Sequence, residues 1–147
     1  NYCKVKRKIE DYYRKIKDSR KNFLHTLTRR IVNDYDYICV EKLDIENLRN
    51  QGKNHPFGKG CMRSYDDACL SEFFWQLEYK CQFYGKTLIK VSTFFPSSRI
   101  CSSCGYRDDR LADPKIKRWR CPRCKKEHDR DINAAINILD FGMRNRE

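Results

Sequence analysis

The chain has 147 residues, enough for one domain with a small attached module. It carries a formal net charge of +12 and nine cysteines. It shows no signal-peptide pattern and no apolar run of about 18 residues, so neither a membrane span nor secretion is expected, and a reduced, cytoplasmic setting is.

The charge is unevenly placed. Residues 1–30 hold eleven Lys and Arg against three acids, and residues 99–130 hold eleven against five. Two such blocks favour a phosphate backbone as partner. The plainer alternative is a well-solvated helix face.

Residues 4–33 predict one long amphipathic helix, because Val5, Ile9, Tyr12, Ile16, Phe23, Leu27 and Ile31 recur at threes, fours and one seven. Short polar side chains in Asn33-Asp34-Tyr35-Asp36 compete for the backbone and should end it. Tyr37-Ile38-Cys39-Val40-Glu41 predicts a short buried parallel strand. Glu41 then lies at the strand's carboxyl end, where open α/β sheets place their ligands. Residues 43–48 predict irregular or helical chain, and 49–61 a polar, glycine-rich loop.

Ser64-Tyr65-Asp66-Asp67 reads as a capping box opening a second helix over 65–83. Ala68, Leu70, Phe73, Phe74, Leu77 and Cys81 give it an apolar face, and Gly85 is a natural stop. Trp75, with Phe73, Phe74 and Phe83, offers either base stacking or core packing, and the shared stripe favours the core. Residues 87–93 are β-branched and predict a second strand, completing a right-handed βαβ unit.

Cys101-Ser-Ser-Cys104-Gly is followed, after sixteen residues, by Cys121-Pro-Arg-Cys124. This is zinc-ribbon spacing: each pair forms one knuckle, and two knuckles complete a closed, structural four-thiolate site. Zinc binding worth about 10–16 kcal/mol would replace a core that so short a segment cannot build. Disulfides fit poorly beside five other cysteines (Cys3, Cys39, Cys61, Cys69 and Cys81) scattered through apolar or helical patterns. A redox pair needs a strand-to-helix context that neither pair has. Iron remains the alternative metal.

Beyond the knuckles, Ile132, Ala135, Ile136 and Leu139 predict one face of a closing helix, with Gly142 just beyond it. Asp129 is its expected N-cap, and Asp131 sits in the first turn. Taken singly, Asp131 is a capping residue and Glu41 a solvated strand end. Taken together, they fit carboxylates converging on Mg²⁺ for phosphodiester hydrolysis.

The run Ile38 to Leu48, the two cysteine knuckles and Asp129-Arg-Asp-Ile-Asn-Ala-Ala135 resemble the TnpB (OrfB) proteins of insertion sequences, and the related compact type V CRISPR nucleases. The resemblance implies an α/β, partial RNase H-like (RuvC-like) nuclease fold with an inserted four-cysteine zinc ribbon. Its parts would be a partial RuvC-like domain over 1–98, the nucleic-acid-binding ribbon over 99–128 and the last RuvC-like helix over 129–147. Glu41 matches the family's second acidic motif and Asp131 its third, with Asp129 the neighbouring alternative. By the same resemblance the partners would be DNA and a guide RNA. Arg118, Arg120, Lys125, Lys126 and Arg130 would steer the phosphates.

The first acidic motif, an Asp on a strand ahead of the long helix, has no match here, since Asp34 and Asp36 flank the Glu41 strand at its wrong end. The part that holds the guide RNA in the family has none either. The chain is therefore expected to be a carboxyl-terminal portion, from a fragment or a degenerate gene. It should bind Mg²⁺ weakly alone, and either be unstable outside the ribbon or associate with the missing segment. Two other functions compete: a non-catalytic nucleic-acid-binding module and a zinc-stapled protein adaptor.

Overall fold

A computed structural model of the chain describes residues 2–43 and 69–146. The predicted loop at 49–61, most of the 43–48 segment and the capping box at Ser64 to Asp67 lie outside the described residues. Two units divide the chain, one of residues 1–36 and 44–87, the other of residues 37–43 and 88–147.

The first unit pairs two helices, α1 (Tyr2–Asp34) and α2 (Leu70–Phe83). Helix α1 buries Leu24, Thr28 and Val32, an i, i+4, i+8 line near its carboxyl end. The expected stripe is corrected here, since Val5, Ile9, Tyr12, Ile16 and Phe23 are exposed and only Leu27 and Ile31 are half-buried. Length is the reason: the fourteen residues of α2 reach about 21 Å, while the 33 of α1 run about 50 Å. A short helix covers only one stretch of a long one.

Helix α2 begins at Leu70, after Cys69 in a left-handed conformation (φ 47°), and the expected start at 65 lies outside the described residues. It buries Gln76, Leu77, Lys80 and Cys81. Trp75 and Phe83, placed in the core by the sequence pattern, are 58% and 78% exposed. The helix stops where expected, because Gly85 (φ +62°) allows Lys86 N–H to reach the Cys81 carbonyl (2.8 Å) and Gly85 N–H the Gln82 carbonyl (3.4 Å). Between the helices runs a polar network. The Lys80 ammonium donates to the His25 carbonyl (2.8 Å) and to Thr28 Oγ1 (2.7 Å). The Thr28 hydroxyl lies 3.1 Å from Gln76 Oε1, and Gln76 Nε2 donates to Glu72 (2.7 Å). Burial, and then the charge of Arg29, lower the Lys80 pKa.

The second unit starts from a two-stranded sheet of β1 (Tyr37–Glu41) and β2 (Thr87–Val91), whose first residue, Thr87, counts with the first unit. Thr87 N–H reaches the Asp36 carbonyl (2.9 Å) and Lys42 N–H the Val91 carbonyl (2.8 Å), so the strands run in the same direction. Strands β3 (Arg118–Arg120) and β4 (Glu127–Asp129) form an antiparallel hairpin, with Trp119 opposite His128. Helix α3 (Arg130–Arg144) follows directly.

The buried face of α3 is another correction. Ile132, Ile136 and Leu139 are 64%, 47% and 49% exposed, and Ala135 is exposed too. The packed face instead carries Asn133, Asn137 and Gly142. Gly142 lies inside the helix rather than beyond it, and a Cβ there would sit 2.7 Å from Cys39 Sγ. It lets the helix press against β1. No helix among the described residues is long and apolar enough to cross a membrane.

Candidate metal centre and acidic cleft

Each cysteine pair sits on a turn with the same hydrogen bonds. Cys101 N–H reaches the Tyr106 carbonyl (2.8 Å) and Gly105 N–H returns to the Cys101 carbonyl (2.8 Å). Cys121 N–H likewise reaches the Lys126 carbonyl (2.9 Å), and Lys125 N–H returns to the Cys121 carbonyl (2.9 Å). The fifth residue of each turn must be left-handed. Gly105 (φ +73°) meets this freely, whereas Lys125 (φ +63°) does so against its own Cβ.

The two turns bring Cys101, Cys104, Cys121 and Cys124 together, with all four sulfurs within 4.8 Å of one another. Cys101 and Cys124 are 3.7 Å apart and Cys104 and Cys121 3.6 Å. Sulfurs around a tetrahedral zinc at about 2.3 Å stand about 3.8 Å from each other, so the donor set fits the ion. These distances also exclude disulfides, whose sulfurs are about 2.05 Å apart. Burial raises the Cys101 thiol to about 12. At Cys121 burial also acts upward, but hydrogen bonds from the Cys124 and Arg123 backbone and from neighbouring thiols bring it down to about 7.

Three side chains outside the quartet hold it in place. His128 is buried, and its Nε2 lies 3.2 Å from Cys101 Sγ. Burial, and then the charge of Lys126, lower the imidazole pKa, so the neutral ring can donate to the sulfur. Asn133, 1% exposed, accepts from Ser102 N–H (2.9 Å) and donates to the Ile100 carbonyl (2.7 Å). One turn later Asn137 donates to the Ser97 (2.8 Å) and Ile100 (2.6 Å) carbonyls. The Asp-x-Asn-Ala-Ala run thus clamps the chain entering the first knuckle onto α3.

The same helix start places Asp131. Asp129 is the N-cap, its Oδ1 accepting from Asp131 N–H (3.0 Å) and Ile132 N–H (3.1 Å). That commits Asp129 to the backbone and leaves the Asp131 carboxylate exposed, 3.5 Å from Lys117 Nζ. Glu41, half-buried at the end of β1, and Asp131 line one cleft of about 610 Å³. Arg99, Arg107 and Arg130 line it too, as does Phe94, which is 94% exposed. Asp109 ion-pairs with Arg107 (3.0 Å) and approaches Arg99 (3.7 Å). Arg130 Nε is buried without a hydrogen-bond partner among the described residues.

Of the five predicted phosphate-steering residues, Arg130 alone lines this cleft. Arg118, Arg120, Lys125 and Lys126 are exposed on the hairpin and second knuckle, with Arg120 Nε donating to the Lys125 carbonyl (2.8 Å). Among the described residues, no group of three or more metal donors includes Glu41 or Asp131. Sequence reasoning missed Arg99, Arg107, His128 and the two asparagines. The asparagines had a signal, the i, i+4 spacing of amides inside an apolar helix.

Comparison with known proteins bears on both parts of the chain. The family described as "Probable transposase" (OrfB) matches residues 1–51, and "Cas12f1-like, TNB domain" matches residues 71–138. The chain resembles the TnpB proteins. A Streptomyces pristinaespiralis protein described as "Putative RNA-guided DNA endonuclease" is 37% identical over 97% of this chain and 33% of its own length. A Mycobacterium tuberculosis protein of the same description is 35% identical over 95% of this chain and 30% of its own. The TnpB-like chain therefore spans about a third of these relatives. A chain in the "Cryo-EM structure of the Cas12f1-sgRNA-target DNA complex" superposes with a TM-score of 0.61 at 22% identity, covering 91% of this chain and 37% of that one, which shows a shared fold.

Proposed function

We propose that this chain forms the carboxyl-terminal, RuvC-like nuclease portion of a TnpB-type RNA-guided DNA endonuclease, with the domain boundaries read from the sequence. One observation carries the reading: Glu41 and Asp131, far apart in the chain, line a single cleft together with three arginines. Glu41 and Asp131 would hold Mg²⁺, which supplies Lewis acidity at a scissile phosphate when bound. The Arg130 guanidinium, whose Nε has no partner among the described residues, lines the cleft and would reach a phosphate oxygen through its terminal nitrogens, and Arg99 and Arg107 lie where they can neutralise its neighbours. The four-cysteine knuckles hold structural zinc, and Arg118, Arg120, Lys125 and Lys126 follow the nucleic-acid backbone.

The test is Mg²⁺-dependent cutting of single-stranded DNA by the zinc-loaded chain, alone and with an added segment bearing the first acidic strand. Glu41→Gln and Asp131→Asn should each abolish cutting. Undiminished cutting in both variants overturns the reading. A second reading, a non-catalytic nucleic-acid-binding module, is favoured by the lack of a third donor beside the two acids among the described residues. It predicts steeply salt-dependent binding that neither substitution alters, with no cutting under either condition.

A further inference from the structure

Trp75 and Phe83 lie on the surface of α2, four residues either side of Tyr79. Trp75 and Tyr79 pack ring to ring at 4.8 Å, and Phe83 meets Tyr84 edge-on at 4.9 Å. Residues four apart share one helix face, so Trp75, Tyr79 and Phe83 line one face of α2 as an aromatic ridge, with Tyr84 against Phe83 at its end. It costs hydration free energy that a monomer would not normally spend on a Trp and a Phe together.

A row of basic side chains runs beside it. On α1, Lys17, Lys21, His25 and Arg29 also recur every four residues. Two of them touch the ridge: the Arg29 guanidinium sits 4.1 Å over the Tyr84 ring, and His25 Nδ1 is 3.5 Å from the Tyr79 hydroxyl. Lys17 and Lys21 are exposed and continue the row along the helix. The nearby acids are Asp18, Glu78 and Glu72, the last bonded to Gln76.

We propose that the aromatic side chains of α2 and the basic row of α1 form one site, which stacks the unpaired bases of a single-stranded nucleic acid and neutralises its phosphates through Lys17, Lys21 and Arg29. Stacking surfaces beside a line of positive charge are what such strands require. A protein-docking face would exclude lysine from its centre, which argues for the nucleic acid. The site lies wholly in the helical unit and uses neither Glu41, Asp131 nor the cysteines, so it stands or falls separately from the nuclease reading.

The test uses the full zinc-loaded chain. Trp119→Phe leaves Trp75 as the one tryptophan, whose fluorescence should be quenched by dT and U 12-mers. An abasic 12-mer of equal phosphate count should not quench it. Trp75→Ala and Tyr79→Ala should each weaken 12-mer binding about tenfold, and Lys17→Gln and Lys21→Gln should each flatten the salt slope by about 0.7. Tighter binding of the U or the dT strand tells RNA from DNA as occupant. Unquenched Trp75 emission, or an abasic strand that binds as tightly, overturns the site. Unaltered 12-mer affinity in Trp75→Ala with an altered sedimentation coefficient would assign the ridge to protein contact instead.

Discussion

The two units face the same shortage of apolar side chains and meet it differently. Among the described residues the helical unit buries the hydrophobic Leu24, Val32, Leu77 and Cys81 and fills the rest of the seam with Thr28, Gln76 and Lys80. The other unit gathers four thiols and fastens the surrounding backbone with the amides of Asn133 and Asn137. A side-chain network works between two rods that already have hydrogen-bonded backbones. It cannot hold loops, whose backbone groups need partners of their own. Loops need backbone-directed amides and a cross-link, and this is where the amides and four thiols placed to hold an ion occur.

The sharpest way to break this contrast is to remove the metal. Chelation should cost the second unit about 10–16 kcal/mol, read as lost hydrogen-exchange protection from residue 97 onward, while α1 and α2 keep theirs. Equal loss in both units would mean that the ion supports the helices as well. Leu77→Ala applies the opposite cut. It should destabilise the helical unit by about 2–5 kcal/mol in denaturant unfolding and leave zinc retention unchanged.

Smaller substitutions sharpen the roles within the second unit. Asn133→Ala leaves Ser102 N–H and part of the Ile100 carbonyl unpaired, which should cost about 1–3 kcal/mol of unfolding free energy. His128→Gln should weaken zinc affinity by about 10–100-fold in chelator competition. The sign of its pH effect follows from burial. The folded pKa of His128 lies below its ordinary value, so the unfolded chain takes the proton first. His128 thus contributes fully above about pH 6.5 and less as the pH falls through its folded pKa. His128→Gln should therefore flatten the acid side of the thermal-stability profile. The smallest effect belongs to Lys125→Gly, which should stabilise the second knuckle by about 1 kcal/mol in thermal unfolding while weakening nucleic-acid binding.

Much of the fold was legible in the residues themselves. The strand ending at Glu41, the stop at Gly85, the cap at Asp129 and the cysteine spacing all rest on local chemistry. The buried helix faces were not legible. In α3 the apolar periodicity of Ile132, Ile136 and Leu139 pointed to one face, while the packed face carries Asn133 and Asn137. Periodicity reports which side of a helix is greasy. It does not report which side meets backbone carbonyls in need of donors.

Sequence alone determined the two cysteine knuckles and the candidate acids, because thiol spacing and strand-end or helix-start positions are set within a few residues. Only the tertiary structure decided that Glu41 and Asp131 share a cleft, that Arg99 and Arg107 line it, and that Trp75 faces water. Those facts depend on which surfaces meet, and a short helix against a long one, or an amide against a carbonyl, is settled only when the chain is packed.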